Sequence, residues 1–269
     1  MLETREYGTS GPPVVLLHGG PGTPGTMAPI GRALSYSFRL LEPFQRRSGD
    51  ITLTIAAHIA DLLELVQARC PGDRPALVGS SWGATLALAF AAEHPDVAGP
   101  VVLIGSGTYT AESSDEFHRR LDRLISPGVQ ARLDEARNIP DADKALAAAG
   151  DVLTGPYSHE PLTTDIEIAW ADARGHKETN DDWKRRRDEG TYPAAFTAIE
   201  SPVLMLHGEA DPHPGAMIRN SLLPALPQLE YIEYDRCGHY PWIEHHARDR
   251  FFRDLHGWLT DTLGRNRGP

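Results

Sequence analysis

Residues 75–91 read PALVGSSWGATLALAFA, and the three parts of this stretch govern how the rest of the chain is read. Residues 75–78 form a short apolar run, as expected for a strand buried on both faces of a parallel sheet. Gly79, Ser80, Ser81, Trp82 and Gly83 then satisfy G-x-S-x-G, and no other serine has glycine both two before and two after it. Leu86, Leu88, Ala89 and Phe90 continue as an apolar helix. A strand that turns sharply into a helix strains the serine between them and exposes it beside free backbone N–H groups. Ser81 is therefore the candidate nucleophile, and Ser80 is one residue off the spacing. A glycine-flanked helix start with a capping serine would look similar, so the partners must be found elsewhere.

The same strand character recurs on both sides. Residues 14–17, 38–41, 101–104 and 203–206 are apolar runs, residues 229–233 form a further short strand, and residues 51–69 carry Ile55, Ile59, Leu62, Leu63 and Val66 at helical spacing. Alternating strands and helices predict an α/β fold, a mostly parallel sheet with helices on both faces. Between residues 109 and 198 the alternation stops and the chain reads as helices joined by short turns. The expected organisation is a core of residues 1–108 and 199–269 with a helical cap, 109–198, inserted between. Residues 177–189 in that cap hold five basic and five acidic side chains, which reads as a solvated helix face.

A chain of 269 residues suits one such domain, and 41% hydrophobic residues is a globular composition. The net charge of −11, from 26 basic and 37 acidic residues, opposes binding to nucleic acid or an anionic membrane surface. The most apolar stretch, residues 84–92 and itself interrupted by Thr85, is about half a membrane span. Two cysteines, Cys70 and Cys237, and an N-terminus without a basic and apolar leader pattern suggest a cytoplasmic protein. One disulfide between them stays open.

A serine hydroxyl is a poor nucleophile near neutral pH and needs a histidine base oriented by a carboxylate, in the order Ser, acid, His. Asp211 follows the strand at 203–206, and His239 follows the strand at 229–233, which puts both on the sheet edge that carries Ser81. Glu209 and Asp235 are weaker candidates for the acid, and His207 and His213 read as loop residues. The turn His18, Gly19, Gly20, Pro21, Gly22 reaches the same edge. Gly20 and Trp82 are the expected oxyanion donors through their backbone N–H groups, with Gly19 as a substrate contact.

Two rival readings compete with this one. Gly20, Gly22 and Gly25 also satisfy G-x-G-x-x-G, with Glu42 near the place of a ribose-binding acid, but Pro21 and Pro24 remove donors from that loop and Ser81, Asp211 and His239 go unexplained. A metal site among His239, His245 and His246 lacks a supporting ligand spacing. No cofactor and no metal are expected.

HGGPG at residues 18–22, SWG with TLALAFA at 81–91, HGEADP at 207–212 and GHYPW at 238–242 resemble the α/β-hydrolase superfamily, and within it the proline iminopeptidase branch. The resemblance implies Ser81 as nucleophile, Asp211 as acid, His239 as base and a helical cap over the site. That branch usually has D-Q-R-G-x-G-x-S where this chain has Glu42, Pro43, Phe44, Gln45, Arg46, Arg47, Ser48, Gly49, and glycine where this chain has Ser80. Its cap also supplies carboxylates for the substrate's ammonium group. Here the cap acids include Glu160, Asp165, Glu167, Glu178, Asp181 and Asp182; the last three fall in the balanced charged run, and Asp165 and Glu167 alternate with Ile166 and Ile168. The expectation is a serine hydrolase acting on a small ester, with an aminopeptidase acting on a short peptide as second reading. A ligand-binding or lyase member of the fold is the reading from another class.

Overall fold

The computed structural model describes residues 1–265. Its strands are β1 (Thr4–Tyr7), β2 (Pro13–Leu17), β3 (Arg39–Pro43), β4 (Ala76–Ser80), β5 (Val101–Ile104), β6 (Val203–Gly208) and β7 (Leu229–Tyr234). They make one sheet in the order β1-β3-β2-β4-β5-β6-β7, parallel throughout except where β1 runs antiparallel to β3. Parallel neighbours need crossovers, and α1 (Ala28–Leu34), α2 (Ile55–Arg69) and α3 (Trp82–Glu93) supply them in the first half. The insertion follows β5 with α4 (Ala111–Leu124), α5 (Pro127–Arg137), α6 (Ala142–Thr154), α7 (Ala173–Asp188) and α8 (Thr191–Ala194). After β6, α9 (Gly215–Leu222) leads to β7 and α10 (Arg248–Arg265) closes the described chain.

The central strands are apolar without interruption because both faces of the sheet are covered. Val15, Leu17, Leu77, Leu103 and Met205 pack with α2, α3 and α9. Val14, Leu16, Val78, Val102, Ile104, Leu204 and Leu206 pack against α1 and α10 on the other face. Successive residues point to opposite faces, so each strand feeds both cores. The edge strand β1, sequence TREY, is half-exposed and carries charges, which hid it from a reading based on apolar runs. Cys70 and Cys237 are both free and buried. None of the described helices is long and apolar enough to cross a membrane.

Two expectations need correction. The helix expected from residue 51 begins at Ile55, because the Thr54 side chain caps it by accepting from the Ala57 N–H at 3.2 Å. The charged run at 177–189 is not a wholly solvated face. Glu178 accepts from the Leu53 N–H at 2.8 Å, and buried Asp182 accepts from the Ile55 N–H at 2.9 Å. A carboxylate at the positive end of α2 is where the helix dipole favours it, and Arg185 and Arg186 complete its partners. One stripe of α7 thus docks the insertion onto the core.

Candidate active site

Ser81 sits between β4 and α3 with φ at +52°, a left-handed conformation that costs a serine about 1–3 kcal/mol. The turn is tight enough that a Cβ on Gly79 would strike the Gly83 carbonyl, and one on Gly83 would strike the Leu17 carbonyl. That is the physical reason for glycine on both sides of the serine. The Ser81 N–H donates to Ile104 O, at the end of β5, at 2.8 Å. The loop after β2 lies directly over the serine, since a Cβ on Gly19 would stand 3.1 Å from Ser81 Cβ. Trp82 begins α3, so its N–H has no partner within the helix. The Trp82 indole N–H donates to Gln45 Oε1 at 2.7 Å, which fixes this side chain against the strand-following segment at 42–49.

On the far side of β5, Asp211 accepts from His239 Nδ1 at 2.7 Å, and the two residues are 1% and 2% exposed. The His239 ring rests on Gly105, immediately after Ile104: a Cβ there would lie 2.9 Å from Nδ1. Ser81 and His239 are therefore brought to the same strand end from opposite sides. Glu209 and Asp235 are exposed and take no part in this pairing.

Asp211 has more partners than expected. Its Oδ1 accepts from the His213 backbone N–H at 2.8 Å and lies 3.0 Å from His213 Nδ1, while His207 Nε2 lies 3.3 Å from Oδ2. Burial alone would raise the carboxyl pKa, but the three imidazoles and the hydrogen bonds hold it well below the usual carboxylate range. Burial lowers the pKa of His207 and His213, against the opposing pull of Asp211. The reading of His207 as a loop residue is corrected, since it belongs to β6 and is fully buried; His213 does lie in the loop after β6, with its ring stacked on His239 at a centroid distance of 4.8 Å. Histidines four before and two after an aspartate at a strand end were the available sequence signal.

The His18–Gly22 turn is held rigidly. His18 is fully buried, its pKa lowered to about 4 by burial, and its Nε2 accepts the Gln45 N–H at 3.3 Å. The insertion grips the same turn from above, because Asp172 N donates to Gly22 O at 2.9 Å and His176 Nδ1 donates to Pro21 O at 2.8 Å. Glu42 is not free for a ribose: buried beneath α1, it accepts from the Tyr7 hydroxyl at 2.6 Å and from the Met27 N–H at 3.0 Å.

The histidines weighed as metal ligands do not come together. His239 is buried on Asp211, whereas His245 and His246 are exposed beside Glu160. Asp211, His213 and His239 have donor atoms within 4.8 Å of one another, as do Glu160, His245 and His246, but hydrogen bonds already account for the buried trio.

The model of the family described as the alpha/beta hydrolase family matches residues 14–253. A proline iminopeptidase from Arabidopsis thaliana is 26% identical over 208 residues, 71% of this chain but only 52% of that protein. The chain thus spans about half the length of that relative. The pimeloyl-[acyl-carrier protein] methyl ester esterase of Nitrosomonas europaea is 23% identical over 256 residues, 87% of this chain and 91% of its own. Among solved structures, a thermophilic esterase from Thermogutta terrifontis superposes with a TM-score of 0.66 at 21% identity, covering 97% of this chain and 93% of its own. The topology, the strained turn after β4 and the match over residues 14–253 lead to one assignment: the chain belongs to the alpha/beta hydrolase family.

Proposed function

We propose that the chain is a serine hydrolase in which Ser81 is the nucleophile, His239 the base and Asp211 the group that orients it. The observation that carries the reading is the buried 2.7 Å Asp211–His239 hydrogen bond, set against the strand end that holds the strained Ser81. An ionised carboxylate only accepts hydrogen bonds, so His239 carries its proton on Nδ1 and Nε2 is left to take the serine proton. Ser81 Oγ then bonds to the carbonyl carbon of the substrate, and the carbonyl electron pair moves to oxygen, facing the N–H groups of Trp82 and Gly20, with Gly19 against the substrate. The protonated His239 gives its proton to the departing alcohol or amine. Water, deprotonated by His239, attacks the acyl group, and Ser81 leaves with the proton returned. These steps require no metal ion and no cofactor. The helical insertion, 109–198, serves as a cap over the core of residues 1–108 and 199–269.

The substrate class we infer is a small ester. An aminopeptidase must desolvate an α-ammonium group, which is costly unless inward carboxylates pair with it. Among the described residues, the buried carboxylates of the insertion are Asp172 and Asp182, and both are engaged elsewhere. Asp172 accepts from Ser48 and Gly175, and Asp182 from Ile55, Arg185 and Arg186. Glu160, Glu167, Glu178 and Asp181 are likewise paired with basic side chains. The aminopeptidase reading stands second because of the 26% identity to a proline iminopeptidase.

Labelling with a fluorophosphonate followed by peptide mapping tests the nucleophile: the adduct is expected on Ser81 and absent in Ser81→Ala, and an adduct on Ser80 or on no serine refutes it. Comparing kcat/KM for p-nitrophenyl acetate or butyrate with that for a prolyl p-nitroanilide tests the substrate class. A preference for the prolyl amide, lost when a carboxylate of the insertion is neutralised, overturns the ester reading.

A further inference from the structure

We propose that Glu244 is a positioning residue for His239, acting through a strap formed by residues 157–162 of the insertion. Glu244 follows the short helix Pro241–Ile243 and is 0% exposed. No cation pairs with it among the described residues. Its carboxylate is instead filled by backbone donors from two directions. Oε1 accepts from the Gly238 N–H at 2.9 Å and from the His159 N–H at 2.7 Å, and Oε2 accepts from the Glu160 N–H at 2.8 Å. A buried carboxylate is tolerated only when its charge is met in this way, and such charge-assisted bonds are stronger than neutral ones.

Gly238 immediately precedes His239, so one end of this network is the backbone that carries the base. The strap closes on that backbone a second time: the His239 N–H donates to Tyr157 O at 2.7 Å. Leu162 N donates to Ile243 O at 2.7 Å, and His245 N donates to Glu160 O at 3.0 Å, so the strap runs beside the whole 238–245 segment. The Tyr157 ring also meets His239 edge-on, with centroids 5.1 Å apart. Gly238 leaves no slack, because a Cβ there would lie 2.8 Å from Glu244 Oε1 and 2.7 Å from Ser158 Cα. Asp211 and Gly105 hold the imidazole ring, and Gly105 also abuts the His239 carbonyl, but neither bonds to Gly238, the residue before the base. Glu244 does, and it makes the position of the base depend on the insertion being seated. The inference rests on His239 being the catalytic base.

Glu244→Gln is the informative change. The amide oxygen can keep two of the three bonds, while the amide nitrogen sets donor against donor at Glu160. Expected is a fall in kcat of about 10-fold, with KM within threefold, since misplacing a catalytic group by a fraction of an ångström has effects of this size. A strongly deshielded proton resonance is expected from the 2.7 Å His239–Asp211 hydrogen bond of the wild type, and it should shift or broaden in the same variant. Glu244→Ala, which strands all three donors, should be worse if it folds. Leu259→Ala in α10, far from the site, is the control for lost stability alone and should keep both kcat and the resonance. Retention of the wild-type resonance by Glu244→Gln, or of the wild-type kcat, overturns the proposal whatever happens to Tm. Because the resonance needs no turnover, a failure of the base assignment, seen as no labelling of Ser81, remains distinguishable from a failure of the strap.

Discussion

Gly105→Ala isolates the placement of His239 from the chemistry of any charged residue. Gly105 has φ at +53°, and an alanine in that region costs about 1–2 kcal/mol. The new Cβ would lie 2.8 Å from His239 O, 2.9 Å from Nδ1 and 3.0 Å from Cε1, whereas ordinary contact begins at 3.4 Å. Something must therefore move by about half an ångström. The Gly105 backbone is poorly placed to move, because its N–H donates to Leu206 O at 3.0 Å and the neighbouring Ile104 O holds the Ser81 N–H at 2.8 Å. Either the base leaves its place or the strand end drags the nucleophile. With about 100-fold lost per ångström of misplacement, kcat/KM should fall roughly 10- to 100-fold, about 1.4–2.7 kcal/mol. Stability should fall by the backbone cost, a drop in Tm of roughly 2–8 °C for a chain of this size. Ester hydrolysis and thermal unfolding measured on the same preparation read the two effects separately. Gly257→Ala, in α10 with nothing within 4 Å of its new Cβ, should not lower kcat/KM or Tm. A Gly105→Ala enzyme with wild-type kcat/KM and a lowered Tm would refute the idea that Gly105 sets the position of a working base.

Asp211→Asn should lower kcat by about 10⁴-fold, the loss seen when the same change is made in a serine protease triad, while Glu209→Gln should leave kcat within twofold. The reverse order in steady-state kinetics would identify the wrong acid. Burial lowers the pKa of both His18 and His58 to about 4, so below pH 6.5 the unfolded chain binds protons that the folded one refuses. The urea midpoint should be highest above pH 6.5 and fall on the way to pH 4, with about 2 kcal/mol lost per histidine by pH 5. Equal midpoints at pH 7 and pH 5 would show that these histidines are not held neutral.

The parts of this fold that were legible in the sequence are those where one physical requirement determines the residue type. Strands covered on both faces must be apolar, so β2, β4, β5 and β6 announce themselves, and the tight turn at Ser81 admits only glycine at 79 and 83. The pairing of Asp211 with His239 was legible from their places after strands, because both fall on one sheet edge. What stayed hidden depends on contacts between distant segments. β1 is an edge strand whose half-exposed residues need not be apolar. The acids of α7 read as solvated because their partners, the N–H groups of Leu53 and Ile55, lie more than a hundred residues away and leave no pattern. Glu244 was invisible for the same reason, as three backbone amides impose no side-chain spacing. Backbone partners are anonymous in sequence, and here they are what joins the insertion to the site. The backbone joints between the insertion and the core include Gly22 and Pro21 in the turn after β2, Leu53 and Ile55 at α2, and Gly238 and His239 after β7. On the proposed reading, exposed side chains of the insertion can change without touching those joints, so substrate preference would vary there while Ser81, Asp211 and His239 keep their positions.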